Sequence, residues 1–339
     1  MADDTERVEG KHLGEFDIIA KYFAPLATDT ASLALRDDAA VFRPVEGQEI
    51  VLSCDTIIEA VHFLKDDPPE SIGHKALAVN LSDLAAKGAR PYLYLLSLSL
   101  PPRPSATWLE AFASGLGGLQ ESTGAALVGG DTSATPGPLS ITITALGVVP
   151  HGHAVLRHGA KAGDRLYVSG TIGDGYLGLR ILQEPALARS WGFTEEDEAF
   201  VIERYRRPKP RNDLVLVIRN FASAAIDVSD GLVGDAEKLA TVSHVGAVIE
   251  ASRVPFSEPA RKALEHEPKL LEALITSGDD YEILAAVPDA SSASFESEAR
   301  DKATDVTMIG RIEGPAGEVK VLGPDRQVLK LRRTGFAHF

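Results

Sequence analysis

Five apolar segments of this 339-residue chain run into aspartate: Arg36-Asp37-Asp38, Ser53-Cys54-Asp55-Thr56, Asn80-Leu81-Ser82-Asp83, Gly129-Gly130-Asp131-Thr132 and Asp227-Val228-Ser229-Asp230-Gly231. The ends of strands and helices are where folded chains present side chains to ligands. Any one such aspartate is most often a solvated turn residue, but five alike point to a shared task. Two carboxylates about 5 Å apart at an effective dielectric near 20 repel by roughly 3 kcal/mol, so if these residues converge, cations must accompany them. Hard oxygen donors without clustered cysteine or histidine suit magnesium, calcium or manganese rather than zinc or copper. Magnesium with few protein ligands, completed by water and phosphate oxygens, is the arrangement of a phosphoryl-transfer site. Gly129-Gly130 would let backbone N–H groups approach a phosphate while Asp131 holds its metal, although the same residues also suit a tight turn.

Other motifs compete for attention. Gly173-Asp174-Gly175-Tyr176-Leu177-Gly178 fits G-x-G-x-x-G, but the following Ser190 to Tyr205 is acidic and helical in pattern where a dinucleotide fold needs a second strand. The G-x-x-x-x-G-K-[ST] phosphate loop does not occur, so an ATP user must hold phosphates by another device. Arg157, His158 and Lys161 are candidate countercharges for phosphates, or solvated surface. The basic run Arg204 to Arg211 is a linker or a ligand contact. His62, just past the Asp55 strand, is the histidine to watch, against the default of an ordinary partly buried ring.

Composition narrows the partners. Thirty-four basic and 49 acidic residues leave a formal charge of -15, which argues against nucleic acid. An anionic substrate meets the same repulsion and is admissible only with metal cations between it and the carboxylates. Cys54 is the single cysteine, excluding an intrachain disulfide and fitting a reducing cytoplasm. Met1 to Gly10 is polar and acidic, unlike a signal peptide, and no run has the length of a membrane span, so neither secretion nor membrane insertion is expected.

The elements that must position these residues alternate between strand and helix. Apolar spacing predicts a short helix over Phe16 to Phe23, strands at Leu33 to Leu35, Ala40 to Phe42 and Ile50 to Ser53, then a helix from Ile72 to Lys87 stopped by Gly88 and Pro91. A strand at Tyr92 to Leu100 and a helix from an N-cap at Ser105 to Gly124 follow, then strands at Ala126 to Val128 and Leu139 to Val149. The Gly- and His-rich segment Pro150 to Gly163 is the expected boundary between domains 1–150 and 151–339. Beyond it come strands at Arg165 to Ser169, Ala224 to Val228, Ile283 to Val287 and Val306 to Ile309, and helices at Tyr176 to Leu182 and Leu232 to Ser243. The fold class is α/β.

The motifs, in order, resemble the thiamine-monophosphate kinases over nearly the whole chain. The matching stretches are Gly14-Glu15-Phe16, Asp37-Asp38, Ser53 to Thr56 with His62-Phe63, Lys75 to Gly88, Gly129 to Thr132, Gly159 to Gly170, Ile226 to Gly231, Gly278 to Glu282 and Gly335 to Phe339. The resemblance implies an aminoimidazole-ribonucleotide-synthetase-like fold. Its N-terminal α/β domain binds ATP and magnesium and pairs its sheet across a homodimer, and its C-terminal α/β domain closes the cleft. Carried over by motif, several magnesium ions would be held by Asp38, Ser53, Cys54, Asp55, Asp83, Asp131, Asp227 and Asp230, with Asp131, Asp55 and Asp227 central to catalysis. ATP, the co-substrate, would meet Gly130, Asp131, Arg157 and Ser229. Thiamine monophosphate would meet His62, Asp279 and Phe336. Cys54 stands where the family often has threonine and would ligate through its carbonyl. Asp279 replaces the usual glutamate with a shorter reach, and Arg333 takes a position that is often aromatic, leaving Phe336 as the stacking ring. The alternatives are another ATP-using enzyme of the same superfamily, such as aminoimidazole ribonucleotide synthetase, and a non-catalytic nucleotide-binding scaffold. Selenophosphate synthetase is a weaker candidate because its N-terminal reactive cysteine is absent.

Overall fold

A computed structural model describes residues 14–336. The first described elements are a short helix α1, Glu15–Ile18, and a π-helical turn, Ile19–Phe23, which buries Tyr22 and Phe23. Together they cover the helix expected from Phe16. The expected strand at Leu33 to Leu35 is instead a 3₁₀ turn, Thr30–Leu35, with φ of 50°, 56° and 52° at Leu33, Ala34 and Leu35. Asp29 caps it through the Ala31 N–H at 2.8 Å, and none of the three residues has the β-branch that favours an extended backbone. Ala40 to Phe42 is irregular rather than a strand.

Strands β1 (Gln48–Ile58), β2 (Arg90–Leu100), β3 (Ala126–Ala134) and β4 (Ser140–Pro150) form a sheet in the order β1-β4-β2-β3. One face carries helices α2 (Pro69–Ala86) and α3 (Ala106–Thr123). Ser105 caps α3 through the Trp108 N–H at 3.0 Å, and Gly124 closes it at φ 74°. Leu77, Leu84, Leu109, Phe112, Leu116 and Ile143 lie in the core between helices and sheet.

The second sheet has the order β10-β7-β9-β5-β8-β6, built from β5 (Arg165–Ser169), β6 (Ala224–Val228), β7 (Ala247–Glu250), β8 (Glu282–Val287), β9 (Val306–Ile312) and β10 (Val319–Leu322). Its helices are α4 (Asp174–Gln183), α5 (Ala186–Ser190), α6 (Glu195–Arg206), α7 (Val215–Phe221), α8 (Leu232–Ser243), α9 (Glu258–His266), α10 (Leu270–Thr276) and α11 (Ser292–Asp301). Because β5 pairs antiparallel with both β8 and β9, no βαβ unit surrounds the glycine motif.

Helix α2 joins the two halves. Its apolar residues occupy neighbouring faces rather than one stripe, and nearly all of it is buried, as befits a helix packed on both sides. Ala85 and Ala86 pack with Tyr167, Leu214 and Ile283 of the second half, while Tyr281 reaches into the first core. The basic run at the end of α6 clamps this junction: Arg206 pairs with the buried Asp67 at 2.7 Å, Arg207 with Glu70 at 2.9 Å, and His74 bonds the Pro208 carbonyl at 2.9 Å. Arg204 and Arg211 pair internally with the buried Glu282. Among the described residues no helix is long and apolar enough to cross a membrane.

Candidate active site

Alternation along β1 directs Ser53, Asp55 and Ile57 toward α2. There the Ser53 hydroxyl donates to Asp83 at 2.5 Å, and Asn80 accepts the Asp55 N–H at 3.0 Å. Asn80 and Asp83, three residues apart, share a face of α2. Ser82, on the adjacent face, turns to the other sheet and donates to Asp227 at 2.8 Å. Asp227 lies near the end of β6 and is 5% exposed. Just beyond it, Asp230 and Asp235 share the Lys238 ammonium, and Asp235 also accepts the Asp230 N–H at 3.0 Å.

These carboxylates act on one another. Desolvation, then Asp83 and Asp230, push the Asp55 carboxyl up from 3.8 to about 6. The residue is open on its cavity side, but surrounding protein still strips water from the acid group. Burial, then Asp83 and Asp235, drive Asp227 well above the carboxylate range, with Ser82 opposing. Burial and the nearby Arg157 lower Lys87 to about 8, against the pull of Asp227 and Asp83. Its ammonium donates to the Ala225 carbonyl at 2.7 Å.

The cluster borders a cavity of about 500 Å³ between the halves, whose lining includes Asp55, His62, Ser229, Asp230, Asp279 and Phe336. His62 Nδ1 accepts the Ile58 N–H at 3.0 Å, placing the proton of the neutral ring on Nε2. Phe336 is fixed through its N–H, which donates to the Asp230 carbonyl at 2.8 Å. The three residues matched to the acceptor thus line one cavity with three of those matched to metal or ATP. Ala337 to Phe339 of that terminal motif lie outside the described residues.

Other expected site residues stand apart. Asp38 is exposed in a bend, where its N–H bonds the neighbouring Asp37. Across the sheet Asp131 is in register with Ser97, Thr142 and Thr56, whereas the Asp55 row runs through Ile143, Leu96 and Gly130. Asp131 therefore projects from the face opposite Asp55, on the other edge strand, three strand spacings or roughly 14 Å away. Cys54 shares that outer face and accepts from Thr144 at 3.4 Å. Among the described residues, no three His, Cys, Asp or Glu side chains are gathered closely enough to hold a metal ion by themselves.

The glycines of the competing motif serve packing. Gly173 donates to the buried Asp280 at 2.9 Å, and a Cβ on Gly175 would lie 2.3 Å from the Asp279 carbonyl. Sequence reasoning gave no site role to Lys75, Tyr281 or the cavity-lining residues of α4, Tyr176, Arg180 and Gln183. Only Lys75 carried a signal: it is a lone cation inside an apolar helical run.

The chain matches the AIR synthase related protein N-terminal domain over residues 36–149 and the corresponding C-terminal domain over 161–322. It is 40% identical to the thiamine-monophosphate kinase of Caulobacter vibrioides over 316 residues, 92% of this chain and 88% of that one. The chain belongs to the thiamine-monophosphate kinase family. The crystal structure of the thiamine-monophosphate kinase from Stenotrophomonas maltophilia K279a superposes with a TM-score of 0.80 at 38% identity, covering 90% of this chain and 94% of that one. AaThiL complexed with AMPPCP and TMP gives a TM-score of 0.75 at 32% identity over 99% of this chain and all of the other. Membership in the kinase family agrees with a cavity lined by Asp55 and Asp230 together with His62, Asp279 and Phe336.

Proposed function

We propose that this chain is a thiamine-phosphate kinase that transfers the γ-phosphoryl group of ATP directly to thiamine monophosphate, giving thiamine diphosphate. The observation that carries the reading is the crowding of Asp55, Asp83, Asp227 and Asp230 beside a cavity large enough for a phosphorylated ligand. Relatives named for this activity, and one bound to AMPPCP and TMP, support it.

The donor set fits magnesium, because carboxylates pushed up by burial and mutual repulsion are relieved by a hard cation, and their oxygens suit it. Asp55, Asp83, Asp227 and Asp230, with the Ser53 hydroxyl, are the residues that would hold it, joined by Asp38, Asp131 and the Cys54 carbonyl if those segments approach. When bound, magnesium would neutralise phosphate charge and favour in-line transfer. The acceptor phosphate, with a second pKa near roughly 6, is already an anion at neutral pH, so no side chain need act as general base. His62, Asp279 and Phe336 orient the acceptor, while Gly130, Asp131, Arg157 and Ser229 receive ATP. This is catalysis by positioning.

Residues 1–150 form the ATP- and metal-binding part and 151–339 the part that closes the cleft. A homodimer accounts for the outlying Asp131. The outer face of the first sheet exposes Leu52 (66%) and Leu95 (37%), and its edges are β1 and β3. Pairing such faces about a twofold axis would set β3 of one copy beside β1 of the other and bring Asp131 to the β1 face that carries Cys54 and Thr56. The reading places the enzyme in the cytoplasm, with no nucleic-acid or membrane partner.

An assay with ATP, magnesium and thiamine monophosphate tests the proposal. Formation of thiamine diphosphate and ADP in equal amounts without a trapped phosphoenzyme is the expected result. ATP binding without turnover would favour the scaffold reading instead.

A further inference from the structure

Lys75 is 2% exposed, yet its ammonium is spent on one partner, Asp279, at 3.0 Å. It also sits 4.0 Å from the ring centroid of Tyr205, which is itself buried. The other Asp279 oxygen accepts from the Tyr281 hydroxyl at 3.0 Å. Both Asp279 and Tyr281 adopt left-handed backbone conformations, with φ of 72° and 53°. That geometry is costly for residues with side chains and persists only where its surroundings enforce it. Here they do: the Asp279 N–H donates to Ser229 at 3.0 Å, the Tyr281 N–H donates to Val228 at 2.8 Å, and Gly278 admits Ser229 so closely that a Cβ would lie 1.9 Å from its carbonyl oxygen.

Burying a lysine is expensive unless it is paired, and a surface ion pair would stabilise the junction at far less cost. Asp279 keeps 26% of its side chain exposed, and it lines the cavity. With each oxygen already engaged by a partner, the lone pairs that remain are those available to whatever occupies that cavity.

We infer that Lys75 and Tyr281 are positioning residues for acceptor recognition, clamping the Asp279 carboxylate at the cavity wall toward the cationic, N–H-bearing heterocycles of the acceptor. The clamp rests on the reading of this cavity as the acceptor site. It offsets the short reach of aspartate by removing its freedom, so that the carboxylate meets the ligand without a further ordering cost. It also makes acceptor affinity depend on a residue of α2, an element of the first half.

Steady-state kinetics on Lys75→Met, Tyr281→Phe and Asp279→Asn, varying each substrate in turn, test it. Lys75→Met should raise KM for thiamine monophosphate about tenfold or more, and Tyr281→Phe about threefold, with KM for ATP within about twofold and kcat within about threefold. A Lys75→Met variant that lost both substrates equally, or kcat alone, would show a structural role only and overturn the inference. Should Lys75→Met fail to fold, Tyr281→Phe decides, because it leaves the ion pair intact and removes one hydroxyl. If Asp279→Asn alone raises the acceptor KM, the clamp is wrong but the site assignment stands. If none of the three variants moves it, the site assignment fails as well.

Discussion

At the scale of single residues, the candidate active site holds like charges near enough to act on one another, as Asp83 and Asp230 do on Asp55. Asp55 at about 6, against an ordinary 3.8, is ionised at a cost above pH 6 and sheds that cost on acidification. Folded protein therefore binds more protons than unfolded between about pH 4 and 6, and this group's contribution to stability falls as pH rises through that window. In EDTA, Asp55→Asn should raise Tm at pH 8, with the gain shrinking toward zero near pH 4, as scanning fluorimetry can follow. Magnesium with an ATP analogue should raise Tm of the unaltered protein far more than that of the variant. Asp55→Asn should also abolish turnover. On the proposed reading His62→Ala, by contrast, removes an acceptor contact, so the acceptor KM should rise roughly tenfold with kcat within about threefold.

Among the elements, α2 bears most of the positioning. It presents Asn80 and Asp83 to β1, Ser82 to β6, and Lys75 to the loop before β8. Such close service needs small residues where helices cross: a Cβ on Gly115 of α3 would lie 1.9 Å from the Glu70 carbonyl, and one on Gly73 of α2 would lie 2.2 Å from that of Phe112. Gly115→Ala should destabilise the protein by about 1–3 kcal/mol, read as a lower midpoint of urea unfolding. Gly118, three residues on, meets nothing within 4 Å and is exposed. Gly118→Ala should therefore shift the midpoint the other way by about 0.4–1 kcal/mol, through helix propensity and a less flexible unfolded chain.

For the whole molecule, Asp131 lies on the outer face of the first sheet, so its proposed role depends on the proposed dimer. If the partner supplies it, Asp131→Asn and Asp55→Asn are each inactive alone, yet a refolded equimolar mixture recovers about a quarter of normal activity, since half the dimers carry one intact site of two. Sites completed within one chain would show no recovery. Placing a charge at Leu52, as in Leu52→Glu, should split the proposed dimer, which sedimentation would detect, and lower activity with it.

The sequence by itself determined the strong periodic elements. α2 and α3 were legible because apolar spacing, a serine cap and glycine stops are local signals, and β5 and β6 were legible from short apolar runs. Charges at element ends also singled out Asp55, Asp83, Asp227 and Asp230, and the place just past the Asp55 strand marked His62, whereas Ser53, Asp279 and Phe336 came only from the resemblance to the kinase family. Position relative to the sheet was not legible. That Asp131 points away from Asp55 follows from strand order and pleat, which pairing between distant segments creates. Nor could the turn at Leu33 to Leu35 be told from a strand, because three apolar residues carry no period. The clamp on Asp279 belongs wholly to tertiary structure: Lys75 and its partner are 204 residues apart, and only burial of both sides of α2 turns an ordinary surface residue type into a buried cation that must find its counterion.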